Sequence, residues 1–260
     1  MRNVKFGLEP TPRDVAPWGT VGSFGTEAAA PSVDIHLQRF SRIGGNQTVT
    51  NSCVWWAFVN AAYNKLRYEG INAKWMSVLA GYFATRMRSH GGDKTRIVDF
   101  GCRPPDAAMV VSELGLIPDE KWPFIPSRVN EEPDYGALIS AVDGWARLKR
   151  IIAPEGQNGA AIRHIVSNLS CPVLHGQGVD EPYIDWVPGK LPWVLTGEVV
   201  GRHMELIDSY DEKGPLAVSS WGDPYRRSLA WRQVESENTY ELWYLEIDRN
   251  KAFKMFGASK

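Results

Sequence analysis

From Trp55 to Leu66 apolar side chains return every three or four residues (Trp55, Phe58, Val59, Ala62, Leu66). This spacing sets the buried face of a helix over about 52–69. Asn51 or Ser52 stands where an N-cap belongs, and Gly70 where the residue after a helix belongs. The helix constrains the rest of the chain because its first turn holds Cys53. A thiol there faces unpaired N–H groups and the positive end of the helix dipole, and both favour thiolate. Gln47 lies six residues before it, and His203 lies 150 residues after it in Gly201-Arg202-His203-Met204-Glu205-Leu206. Thiol, imidazole and upstream amide are the parts of a cysteine nucleophile site. The imidazole takes and returns the proton, and the amide donates to the oxyanion.

The pattern changes along the chain. Residues 1–45 carry Pro and Gly throughout and read as an extended arm packed across the surface. Its Gly19, Gly22 and Gly25 form no phosphate loop, because no apolar strand precedes them and no GK[ST] follows. Further helices are expected at about 75–88 and 105–114, the latter stopping at Gly115, with helical stretches near 135–143 and 158–169. Strands are expected at Pro172–His175, His203–Tyr210, Leu216–Trp221 and Glu241–Ile247, set apart by Gly, Pro and Asp. The expected organisation is an arm (1–45), a helical lobe with the nucleophile helix (46–134) and a β-rich lobe with His203 (135–260). Cys53 and His203 then face each other across a cleft.

Composition removes several function classes. Lys+Arg at 29 against Asp+Glu at 30 gives no field for nucleic acid or an anionic membrane. No apolar run reaches the roughly 18 residues of a membrane span, and the N-terminus has no signal-peptide pattern. Cys53, Cys102 and Cys171 are too few for a disulfide framework and read as free thiols in a reducing compartment. No CxxC or HxxxH spacing exists for zinc. His203-Met204-Glu205 matches the H-x-E of zinc deaminases, but their Pro-Cys-x-x-Cys is missing. No metal or cofactor is implied. His36, His90, His164 and His175 lack catalytic context and read as structural or exposed.

In this order the motifs resemble those of the papain-like cysteine peptidases of bacterial and phage type. Gln47 with Asn51-Ser52-Cys53 is similar to that family's Gln…Gly-Ser-Cys block. Asp99-Phe100-Gly101-Cys102 and Gly115-Leu116-Ile117-Pro118-Asp119-Glu120-Lys121-Trp122-Pro123-Phe124 resemble its Asp-x-Gly and Gly-x-x-x-Glu-x-x-Tyr-Pro-Tyr segments. Cys171-Pro172-Val173 resembles its Gly-Pro-Val strand, Gly201-Arg202-His203…Tyr210-Asp211 its Gly-Gly-His…Gly-Tyr-Asp, and Ser219-Ser220-Trp221-Gly222 its Asn-Ser-Trp-Gly. The Cys-to-His separation also fits the family's roughly 130–150 residues. The resemblance implies an α+β fold of two lobes, helical and β-barrel-like. It implies Cys53 as nucleophile, His203 as base and acid, Gln47 as oxyanion donor, and Trp221 shielding the imidazole from water beside the substrate.

The sequence departs from that pattern at several positions. The family's His-orienting Asn falls at Ser219, whose shorter hydroxyl is expected to hold the ring less firmly. Glu205 or Asp208 is the alternative partner, and an acid there would raise the imidazole pKa. Arg202 replaces a glycine, placing a cation at the cleft edge to bind an acidic substrate group or to obstruct the cleft. The family's disulfide partner for Cys102 aligns with Thr50, so that bridge cannot form. No pro-segment is expected, because the family-like region begins near residue 33, and the short arm is expected to cover the cleft at most in part. Two functions follow from the resemblance. One is a thiol hydrolase cleaving peptide or amide bonds in peptide or protein substrates. The other is a weakly active or inactive papain-fold interaction protein, such as a phage virion component. The expected location is cytoplasmic for the first and within a virion for the second.

Overall fold

The computed structural model describes residues 6–9, 37–142 and 144–258. Most of the arm, with Gly19, Gly22, Gly25 and His36, lies outside these residues. Helix α1 (Cys53–Tyr68) begins and ends where the periodicity places it, with Ser52 at the N-cap and Gly70 in the left-handed region just past the end (φ 70°). One buried face was expected, but every residue from Cys53 to Ala62 is buried. A helix buried on all sides lies inside the protein, and α1 is the central helix. Helices α2 (Val78–Ser89) and α3 (Pro104–Glu113) pack on one side of it. The Ser77 hydroxyl caps α2 at the Ala80 N–H (3.1 Å), and proline occupies the first turn of α3, where no N–H partner is needed. The stretch expected at 135–143 is one short turn, α4 (Tyr135–Leu138).

Against the other side of α1 lies a six-stranded antiparallel sheet. Its strands are β1 (Ala146–Arg150), β2 (Val173–Val179), β3 (Gly201–Tyr210), β4 (Pro215–Val218), β5 (Arg227–Ser228) and β6 (Thr239–Ile247). Their spatial order is β1-β6-β2-β3-β4-β5, with β1 and β5 at the edges. The sheet is therefore open, and the β-barrel-like lobe is an unclosed one. Helices α5 (Asn158–Asn168), α6 (Glu181–Ile184), α7 (Trp231–Val234) and α8 (Arg249–Phe256) accompany the strands.

Strand β3 shows no clean alternation because it is buried on both faces from His203 to Tyr210. Met204 shares the lining of a small cavity with Trp56 and Ala57 of α1. In β2, His175 and Gln177 lie directly opposite Glu205 and His203, so these four polar side chains share the other face. β1 (Ala-Arg-Leu-Lys-Arg) and two-residue β5 carried no strand signal. β1 is an edge strand defined by its pairing with β6, and non-local pairing leaves little trace in local composition.

Candidate active site

Cys53 is the first residue of α1 and has no exposed surface. Backbone N–H groups of Met204, Gly7 and Val54 are directed at its sulfur. They lower the thiol pKa, but burial outweighs them and pushes it up to about 11. The helix end alone favours thiolate, but burial reverses that and favours the neutral thiol.

His203 lies one residue from Met204 on β3, and its ring stacks on Trp221 with centroids 4.1 Å apart and planes at 29°. Among the described residues neither ring nitrogen has a hydrogen-bond partner, and neither does the buried Ser219 hydroxyl. The Cys53–His203 and Ser219–His203 bonds are thus unmade. Burial holds the His203 pKa down at about 3, with the Arg227 cation and His175 adding to the effect. Neither acid serves the imidazole. Asp208 is bound by Arg226 (2.7 Å) and the Ser209 hydroxyl (3.0 Å). Glu205 accepts from Gln177 (2.7 Å) and from the Tyr183 hydroxyl, with His175 Nδ1 at 3.2 Å. The expected rise in the imidazole pKa is therefore reversed.

Gln47 is buried just ahead of α1. Its Nε2 donates to the Thr50 carbonyl (2.9 Å), and its Oε1 accepts from the Ser220 hydroxyl (2.6 Å). Ser220 thereby ties the loop before the nucleophile to the loop that carries Ser219 and Trp221. Opposite, Asp99 accepts from the Asn51 N–H (2.9 Å) and the Tyr82 hydroxyl (2.8 Å), pinning residues 99–101 beside Cys53. Arg202 is exposed, with its guanidinium 5.6 Å from the Tyr240 ring centre.

Phe6–Glu9 runs between these walls. The Cys102 N–H donates to the Gly7 carbonyl (2.9 Å), and the Glu9 N–H donates to the Cys102 carbonyl (3.1 Å). Phe6 packs edge-on against Trp221 with centroids 5.9 Å apart. Leu8 is buried over Gly176, where a Cβ would come within 2.8 Å of it. Clearance is smallest at Gly7, where a Cβ would lie 1.6 Å from the Asn51 carbonyl oxygen. This part of the arm fills the cleft rather than crossing the surface.

A cavity of about 880 Å³ lies between α2, α3 and residues 132–141, and Cys53 does not line it. Among the described residues no group of three His, Cys, Asp or Glu is placed to hold a metal, and no helix is long and apolar enough to cross a membrane. Ser220, Tyr183, Arg227 and Phe6–Glu9 shape the site without having stood out in the sequence. The Ser-Ser-Trp-Gly run was the one signal pointing near Ser220.

An open antiparallel sheet packed on a central helix that starts at a cysteine, with a histidine on the facing strand, is the papain-like fold. Solved structures of papain-like cysteine proteases superpose on the chain. Xylellain, a cysteine protease from Xylella fastidiosa, matches with a TM-score of 0.76 at 15% identity, covering 95% of this chain and 97% of its own. Procathepsin L 3 from the Tenebrio molitor larval midgut matches at 0.63 and 13% identity, covering 85% and 72%. A structure described for the mite allergens Blo t 1 and Der p 1 matches at 0.61 and 15% identity, covering 86% and 73%. No protein-family model matches the sequence, and no curated protein matches it either.

Proposed function

We propose that the chain is a papain-like thiol hydrolase acting on peptide or amide bonds. One observation carries this reading. Cys53 opens the central helix against the strand bearing His203, in a cleft that already accepts extended peptide, namely the chain's own Phe6–Glu9. In the closed conformation both reacting groups are neutral, because burial opposes either charge. Departure of Phe6–Glu9 admits water and substrate, which lowers the thiol pKa and raises that of the imidazole. The proton then passes from Cys53 to His203, and the thiolate attacks the carbonyl carbon. Gln47 and the Cys53 N–H donate to the oxyanion, and His203 returns the proton to the leaving amine and activates the water that releases the acyl group. Trp221 shields the ring, Ser219 sits in the orienting position, and Arg202 meets acidic groups of the substrate at the rim.

Internally quenched peptides test the reading. Hydrolysis is expected from the chain once the cleft is opened, and Cys53→Ala and His203→Ala in the opened form should each abolish it. Turnover that survives Cys53→Ala would refute it. A second reading, a papain-fold interaction protein with little or no turnover, is favoured by the unpartnered His203 nitrogens and Ser219 hydroxyl. No hydrolysis by an opened form whose thiol is alkylated readily would select it.

A further inference from the structure

With neither nitrogen bonded, the His203 ring is held by its stacking on Trp221, so whatever fixes Trp221 fixes the imidazole. Tyr183 of α6 meets the Trp221 indole edge-on with centroids 5.7 Å apart. The Arg227 guanidinium lies 5.1 Å from the Trp221 ring centre and 4.6 Å from that of Tyr183. Tyr183 in turn is clasped by Trp193 at 4.7 Å, and its hydroxyl donates to Glu205. Glu205 stands two residues from His203 on the same face of β3. The contacts therefore close a ring, from His203 to Trp221 to Tyr183 to Glu205 and back along the strand. All four side chains except Trp221 are fully or almost fully buried.

We propose that Tyr183 is a positioning residue for His203: anchored on Glu205, it clamps Trp221 and so orients the imidazole in place of the bond that Ser219 does not make. This deepens the functional reading above and rests on it for its catalytic meaning. Several observations support it. A buried carboxylate is costly unless its oxygens are satisfied, and Glu205 is satisfied by Tyr183, Gln177 and His175 rather than by the imidazole. The Tyr183 phenol gains a fixed acceptor, which sets its ring against Trp221. Arg227, bound to Asp223 at 2.7 Å and donating to the Tyr183 carbonyl, braces both rings from a third side.

The test reads the imidazole directly. In the full-length chain with labelled histidine, the His203 ring protons lie over the indole face and are displaced upfield by its ring current. Tyr183→Phe removes only the hydroxyl. It is expected to return those resonances toward ordinary histidine values while the backbone amide spectrum stays that of the folded protein. In the opened form it should lower kcat about tenfold or more with KM unchanged, the scale of a misaligned reacting group. Glu205→Asp, which keeps the charge but withdraws the acceptor by one methylene, carries the same expectation and decides the matter if Tyr183→Phe does not fold. Folded Tyr183→Phe and Glu205→Asp proteins with unmoved His203 resonances would overturn the inference. Because the resonance shift needs no turnover, it decides the clamp even if the chain hydrolyses nothing. Normal hydrolysis with an unmoved ring would remove the clamp and leave the hydrolase reading standing.

Discussion

Gly7→Ala should open the cleft. A Cβ at residue 7 would lie 1.6 Å from the Asn51 carbonyl oxygen and 2.2 Å from its carbon. Both are backbone atoms, and Asn51 is fixed by its N–H bond to Asp99, so neither side can yield by the ångström or more required. Phe6–Glu9 must then leave, taking with it the Gly7 N–H that points at the sulfur and the cover over Cys53. Without burial the thiol returns from about 11 toward its ordinary 9.0. At any pH below that value, two pKa units raise the thiolate fraction about a hundredfold, and the thiolate is the species that alkylates. Iodoacetamide labelling mapped by mass spectrometry gives the rate at each cysteine. Cys171 is the internal standard, because it is buried elsewhere, its sulfur bonding the Leu245 carbonyl, and burial likewise holds it at about 11. The Cys53-to-Cys171 rate ratio should rise about a hundredfold in Gly7→Ala, more if His203 takes the proton. Cys102 should also become more reactive, since Phe6–Glu9, to which its backbone bonds, no longer lies beside it. An unchanged ratio in a folded Gly7→Ala protein would show that Phe6–Glu9 is not what keeps the thiol shut.

Ser219→Asn, by lengthening the side chain toward the imidazole, should raise kcat of the opened form about tenfold or more at constant KM, as expected where an orienting partner is supplied; an unchanged or lower kcat would count against Ser219 as the orienting position. Acid should destabilise the closed protein through His203. Its folded pKa, about 3, is below its ordinary 6.5, so the unfolded chain binds the extra proton between those values and stability falls as pH falls. Across that window the wild type should lose up to about 1.4 kcal/mol per pH unit more than His203→Phe in urea titrations; parallel curves would refute the assignment. Asp208→Ala strips Arg226 of its carboxylate and should cost about 2–3 kcal/mol in the same assay, whereas a loss below 1 kcal/mol would mean that the pair contributes little.

What could be read from residue order was local. The i, i+3, i+4 recurrence from Trp55 to Leu66 specifies α1 and puts Cys53 at its start, because helix periodicity and capping depend only on near neighbours. The ordered motifs pointed to the papain-like fold, and that is the fold found. β3 was legible through the turns around it but not through alternation, since α1 on one face and the Glu205 network on the other bury both. The electrostatics depended on tertiary structure. Helix position argues for a thiolate at Cys53, but burial reverses that, and neither the path of Phe6–Glu9 nor its close approach to Asn51 at Gly7 is encoded near residue 53. Glu205, two residues from His203, reads as a neighbouring acid for the imidazole, yet Tyr183, Gln177 and His175 reach it first. Which residues form helix and strand follows from each residue's near neighbours. Charge states and partners follow from side chains that only folding brings within a few ångströms, because desolvation and hydrogen bonding act over that distance.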